Sequence, residues 1–355
     1  MNYRKATIYS REDATTAKTE SIDLDLTDII SRIQVRFEGY NSTHVPTAHP
    51  AKQISKIEIV DGSDVLFSMS GMQIEASDFY DTWRPRSYEI DYRDSMFTEL
   101  IMNINFGRWL NDEMLAFDCS RFKNPKLKIT HDKTLGGSLP DAGYLTVLAD
   151  VFDEKRVSPQ GFLLNKEFYS YTPVASAYKT IDMPDDYPLR RMMIQTLYPP
   201  NTFTDNVDEI RLDENTLKRI PLDLNMFMYM ASILNTFPTY EDIIAVYTLN
   251  GDKTVYVTPT EYPAVSVNAY GGTAAYVNAE RGGGEQVITS TTGQMSRMHV
   301  KGHLPHGCLP IEFGDQNDPA DWYDIRTIKD LNLRLHHASS IGGDVKIITQ
   351  QLRRY

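Results

Sequence analysis

Two stretches of this chain answer each other: FGRWLNDEMLAFDCSRFKNPKLKITH at residues 106–131 and FGDQNDPADWYDIRTIKDLNLRLHH at residues 313–337. Phe106, Gly107, Asp118, Leu127, Lys128, Ile129 and His131 stand against Phe313, Gly314, Asp324, Leu333, Arg334, Leu335 and His337. From the Asp onward the copies keep a constant spacing of 206 residues, and the second copy is one residue shorter between its Phe-Gly pair and its Asp. Self-similarity of this kind fixes architecture before any motif does. Downstream, Gly143, Leu145 and Val147 correspond to Gly343, Val345 and Ile347 across a shorter loop. Upstream, KIEIVDGSDVLF answers EIRLDENTLKRI, with Asp61 against Asp213, at a spacing of only 152.

The jump in spacing from 152 to 206 leaves about 54 extra residues in the second copy, roughly residues 235–300. Residues 251–300 hold 7 of the 20 glycines, Gly282, Gly283 and Gly284 among them, together with Tyr256, Tyr262, Tyr270 and Tyr276 and only seven charged side chains. That composition reads as an elaborate surface loop with short strands of its own.

Around the repeat, apolar residues alternate with polar ones at period two, as half-buried strands require. Ile22, Leu24 and Leu26 alternate with Asp23 and Asp25, and Ile33, Val35 and Phe37 with Gln34 and Arg36. The same beat returns at Leu127 and Ile129, Leu145 and Val147, Val255 and Val257, Leu331 to Leu335, and Val345 and Ile347. Two helices interrupt it: Ser70 to Tyr80, with Met72, Ala76 and Phe79 at helical spacing, and the Met-rich run Leu222 to Leu234 after Pro221. The methionines of that second run read as core filler. The class is all-β with a few short helices.

A chain of 355 residues exceeds the roughly 250–300 at which one hydrophobic core stops growing, so two cores are expected. The formal charge of −12 disfavours wrapping nucleic acid or an anionic membrane over a broad face. Cys119 and Cys308 are too few for a disulfide scaffold or a zinc ribbon. The start, MNYRKATIYSREDATTAKTES, has no apolar h-region, and no stretch reaches the roughly 18 apolar residues of a membrane span, so synthesis and folding in the cytosol are expected.

The repeat, a helix after the early strands of each copy, the run DVLFSMSGMQIEASDFYD, the FDCSRFKNPKLKITH segment and the closing strand IITQQLRRY together resemble the double jelly-roll major capsid proteins of adenovirus and the tailless, membrane-containing viruses. The resemblance covers nearly the whole chain from about residue 20. It implies two tandem eight-stranded jelly-roll β-sandwiches: an N-terminal arm at 1–19, a first roll at 20–157, a linker at 158–164, and a second roll at 165–355 carrying the insertion at about 235–300. It also implies a homotrimer with a pseudo-hexameric footprint that tiles an icosahedral shell. Neighbouring capsomers and minor capsid or penton proteins would be the partners, with no small-molecule substrate and no cofactor, and the virion the location. Arg4, Lys5, Arg11 and Lys18 of the arm are read either as a disordered terminus or as a contact to an internal membrane, the genome or a neighbouring capsomer.

No catalytic, cofactor-binding or metal-binding residue is assigned. His299, His303, His306 and Cys308, in HVKGHLPHGC, are the one cluster with metal-ligand chemistry, but Pro305 and Gly307 make it a loop in which the imidazoles need not converge. His336 and His337 alternate across a strand, so at most one faces any given site. There is no G-x-S-x-G, and Gly282 to Gly284 lack the frame of a phosphate-binding loop. Asp182, Asp185 and Asp186, among Pro184 and Pro188, read as a solvated turn that Arg190 and Arg191 can pair with. The competing functional readings are a two-jelly-roll hydrolase of the peptide N-glycosidase type and a carbohydrate-binding β protein.

Overall fold

The computed structural model describes residues 1–271, 274–328 and 330–355. Gly272 and Thr273 of the expected insertion, and Lys329, lie outside the described residues.

The first half of the chain runs through β1 (Tyr3–Asp13), β2 (Lys18–Asp23), β3 (Ile30–Asn41), β4 (Ile54–Asp61), β5 (Asp64–Met69), α1 (Gly71–Thr82), β6 (Ile90–Asp91), β7 (Phe97–Asn105), β8 (Pro125–His131) and β9 (Pro140–Phe152). The second half repeats that course with β10 (Gly161–Tyr171), β11 (Tyr178–Asp182), β12 (Leu189–Thr196), α2 (Phe203–Asn206), β13 (Val207–Glu214), β14 (Arg219–Asn225) and α3 (Met226–Thr236). An excursion then forms β15 (Tyr240–Thr248), β16 (Gly251–Tyr256), β17 (Pro259–Ala269), β18 (Ala275–Glu280), β19 (Glu285–Ser290) and β20 (Gln294–Pro305). The second half closes with β21 (Cys308–Glu312), β22 (Leu331–His337) and β23 (Val345–Arg354).

Leaving β6 and the excursion aside, each half has, among the described residues, eight strands in two sheets, and both halves share one topology. In the first half the sheets are β1-β9-β3-β7 and β2-β8-β4-β5; in the second they are β10-β23-β12-β21 and β11-β22-β13-β14. Numbered within its own half, each sandwich reads first-eighth-third-sixth over second-seventh-fourth-fifth, which is a jelly roll. The repeat noticed in the sequence is the seventh strand and its approach. Leu127 and Ile129 of β8, like Leu333 and Leu335 of β22, point into their core and are fully buried. Asp118 caps a single 3-10 turn by accepting the Ser120 N–H at 3.0 Å, and Asp324 does the same for Arg326 at 3.2 Å.

β5 meets β10 in a parallel pairing at Ser68 and Lys166, so one sheet of each roll merges into a continuous eight-stranded sheet. Parallel pairing also means that both rolls stand the same way up. At one end, an aromatic stack joins them: Phe106 and Phe117 at 4.8 Å between centroids, Phe117 and Phe162 at 5.3 Å, and Phe162 and Tyr355 at 5.7 Å. At the other end rises the excursion. Its strands form two small sheets, with a separate core of Ile244, Val246, Val255, Val257, Ile288, Met298 and Val300. The first roll contributes to this tower as well, because β6 pairs with β15 and brings Ile90 and Tyr92 into the same core.

Three boundaries differ from those read in the sequence. The 1–19 arm is not a free arm: Tyr3–Asp13 is the first strand of the first roll, paired along β9. Its cations pair with acids of the same roll, Arg4 with Asp28 and Asp153 in the loops flanking β3 and β9, Lys5 with Asp150 at 3.0 Å and Arg11 with Glu38 at 3.0 Å. The expected linker at 158–164 is already strand from Gly161 onward. The Met-rich helix begins at Met226 rather than Leu222, because Leu222 and Leu224 continue the strand alternation and Asn225 caps the helix by accepting the Phe227 N–H at 2.9 Å.

Phe117 is fully buried at the centre of the aromatic stack. Phe117→Ala is expected to cost about 3–5 kcal/mol of stability, measured as a lower denaturant midpoint.

Candidate functional site

The histidine cluster of the sequence does not assemble. His299 lies on β20 with Nδ1 3.4 Å from Glu241, and Cys308 is buried, its thiol pushed well up by that burial. His306, at φ 52°, turns inward, where its Nε2 lies 2.9 Å from Glu75 Oε2. There it meets His49, edge to face with ring centroids 4.6 Å apart. His49, Glu75 and His306 are the one group of three potential ligands among the described residues, with ligand atoms within 4.8 Å of one another.

Their hydrogen bonds do not suit a metal. The Ala51 N–H donates to His49 Nδ1 at 3.1 Å, so the proton of the neutral ring sits on Nε2, which donates to Thr258 Oγ1 at 3.1 Å. A metal on Nε2 would move the ring's single proton to Nδ1, where it would face the Ala51 N–H donor to donor. Glu75 is already neutralised by Arg86 and accepts from the Tyr240 hydroxyl at 2.9 Å. Burial alone would raise the Glu75 carboxyl, but Arg86 and His306 hold it well below the usual carboxylate range.

Arg190 and Arg191 do not pair with the Asp182 turn. They pair with Asp81 of α1, at 2.5 and 2.8 Å, beneath a helix of the other roll. Burial favours the neutral acid, but Arg191 and Arg190 outweigh it and hold the Asp81 carboxyl below its usual range. Sequence reasoning missed this contact because nothing local marks a pairing across 109 residues.

That contact belongs to a larger surface. α1 covers the outer face of the β10-β23-β12-β21 sheet: Arg191 Nη2 donates to Ser77 O at 3.3 Å, Gln73 Nε2 to Gln195 Oε1 at 3.0 Å, and the Tyr80 hydroxyl to Cys308 O at 2.7 Å. Every residue of β12 is consequently buried, on both faces. Arg353 of β23 also reaches back to Asp64 at the start of β5, at 2.9 Å from Nη1. The junction between the rolls thus consists of the fifth strand and following helix of one roll against the first strand and outer sheet face of the next.

α3 occupies the place in the second roll that α1 has in the first, but its corresponding face is bare. Met226, Met230 and Ile233 are buried in its own roll, whereas Phe227 is 71% and Met228 64% exposed. Leu217, in the turn before β14, and Ile220, on β14, are exposed as well. Both β14 and β1 are end strands of their sheets. The outer face of the β1-β9-β3-β7 sheet, with Arg32, Gln34, Arg36, Ile101 and Leu148, is only half-buried. Both surfaces are therefore left partly exposed in the single chain.

No family model and no curated protein sequence matches the chain. Among solved structures, the STIV MCP matches with a TM-score of 0.60 at 11% identity, over 99% of this chain and 96% of that one. The major capsid protein of bacteriophage PM2 matches with a TM-score of 0.58 at 11% identity, over 99% and 98%. VP54 of PBCV-1 matches with a TM-score of 0.60 at 11% identity, over 99% and 94%. The chain has the double jelly-roll fold of these proteins along its whole length.

Asp81→Ala would strand two buried guanidinium groups, and a loss of about 3–5 kcal/mol is expected in denaturant unfolding. Adding Arg191→Met should recover part of that loss, because one uncompensated charge goes with it.

Proposed function

We propose that this chain is a viral major capsid protein that trimerises into pseudo-hexameric capsomers and builds an icosahedral shell. The observation that carries the reading is the unequal burial of two equivalent helices, α1 covered and α3 bare. If α3 and β14 of one copy receive β1 and the outer sheet face of the next, the junction already made inside the chain is repeated between chains. Phe227 and Met228 would then lose their exposure as the matching face of α1 has lost its own. Such a contact is head-to-tail, so it either closes into a ring or runs on as a fibre. Three copies bring six rolls of one topology to a closed ring, a footprint that fits hexagonal tiling.

The fold likeness to major capsid proteins supports the same reading. In this arrangement the towers gather at one end of the capsomer, where Tyr262, Tyr270 and Tyr276, all exposed in the single chain, face neighbouring copies of the same tower. Neighbouring capsomers and a separate penton protein complete the shell. Arg4, Lys5 and Arg11 of β1 pair with acids of their own roll, which leaves the first strand little uncompensated positive charge to offer a membrane or genome.

Light scattering behind size exclusion tests the proposal. The expected mass is three times 40.5 kDa, and a monomer at micromolar concentration would overturn it. Phe227→Asp should raise the concentration of half-dissociation by about 100-fold or more, since it removes about 2–3 kcal/mol of apolar burial and adds a charge. The far-ultraviolet circular dichroism should stay unchanged.

A further inference from the structure

The His49–His306 pair is buried within the single chain, where the first roll meets the base of the tower. His49 caps the 3-10 turn Pro50–Gln53 of the first roll. Its other nitrogen holds Thr258, whose N–H donates to Asp242 Oδ2 at 2.6 Å and whose carbonyl accepts the His306 N–H at 2.8 Å. Three separate segments are thus fastened through one imidazole: the loop before β4, the connection from β16 to β17, and the turn between β20 and β21.

We propose that this imidazole is an acid-sensitive latch, which ties the tower to the first roll while neutral and releases it on taking up a proton. The reason is geometric. A protonated His49 carries N–H groups at both nitrogens, so the Ala51 N–H would meet a donor where it now meets a lone pair. The groups facing the ring from each neighbouring element offer little relief. Lys52 on its own turn, Arg86 after α1 and His306 before β21 are all cationic or able to become so. Glu75 of α1 is committed to Arg86, Tyr240 and His306, and Asp242 of β15 accepts from Thr258. A cavity of about 320 Å³, bounded by Thr47, Lys52, Met72, Tyr198 and Val257, reaches both imidazoles and gives water a route to them.

The sign follows from linkage. Burial, reinforced by His306, Arg86 and Lys52 and only partly offset by Glu75, holds the His49 imidazole well below its ordinary value of 6.5. The open state therefore binds the proton more tightly, and the latch weakens as pH falls below about 6.5 and continues to weaken down to the depressed value of the closed state. His131 and His337, whose imidazoles burial also lowers, titrate inside the two sandwiches, whereas His303 of β20, lowered by burial too, lies within the tower and is told apart from His49 by the His49→Asn variant.

Hydrogen–deuterium exchange of the assembled full chain, corrected for the intrinsic pH dependence of exchange, separates these effects. Between about pH 7.5 and about pH 5.5, protection at 47–53, 240–258 and 296–307 should fall by about tenfold per pH unit once pH is below about 6.5. Protection at 30–41 and 189–196 should hold. His49→Asn keeps a side-chain oxygen to accept the Ala51 N–H but does not titrate, so the selective loss should vanish. Equal loss in the sandwiches and the tower, or wild-type pH dependence in His49→Asn, would overturn the latch. If that variant does not fold, the wild-type comparison of joint against sandwich decides alone. The oligomer mass is read separately, so failure of the latch leaves the assembly reading untouched.

Discussion

A jelly roll leaves the outer faces of its two sheets to find cover, and in this chain that requirement is met by a helix from the neighbouring roll. β12 shows the result most plainly, since none of its residues reaches solvent. Covering it has placed Arg190 and Arg191 in the interior, and buried guanidinium groups are tolerated only with a hydrogen-bonded counter-charge. Asp81 supplies it. The position of α1, the merging of the sheets through β5 and β10, and the upright alignment of the rolls are consistent only with one another.

The repeat was legible because the seventh strand carries the same burden in both rolls: an Asp-capped turn, then inward Leu or Ile at alternate positions. Where burial is one-sided and regular, period two reports it. The first strand escaped notice for the opposite reason. β1 is an end strand with only Ala6 buried, so its sequence is mostly polar and mimics an unstructured terminus. The helix boundary at Met226 was blurred because an apolar strand runs directly into an apolar helix. His306 was visible as a candidate, but its partners Glu75 and His49 are 231 and 257 residues away, and no spacing rule spans such distances.

Divergence between the two copies is as informative as their likeness. α1 carries Gln73, Ser77 and Asp81, polar groups that match a fixed partner sheet, and these contacts are made as the chain folds. α3 shows Phe227 and Met228 instead, side chains that need no exact hydrogen-bond geometry and gain chiefly from area. A permanent internal junction can rely on directional bonds, whereas a contact formed after folding does better with adaptable apolar ones.

The last strand of each roll lies between its first and third, and this order governs how the protein can be made. During synthesis β1 and β3 have no shared neighbour until β9 emerges about a hundred residues later, and β10 waits for β23, which starts at Val345. Pairing between such distant segments is slow, and open strand edges on a ribosome-bound chain invite mispairing. The first roll can close while the second is still being translated, but its α1 then faces outward with its intended cover not yet built. The interval in which an open edge and an uncovered helix face coexist therefore lasts as long as the second roll takes to be translated, and strand order sets its length.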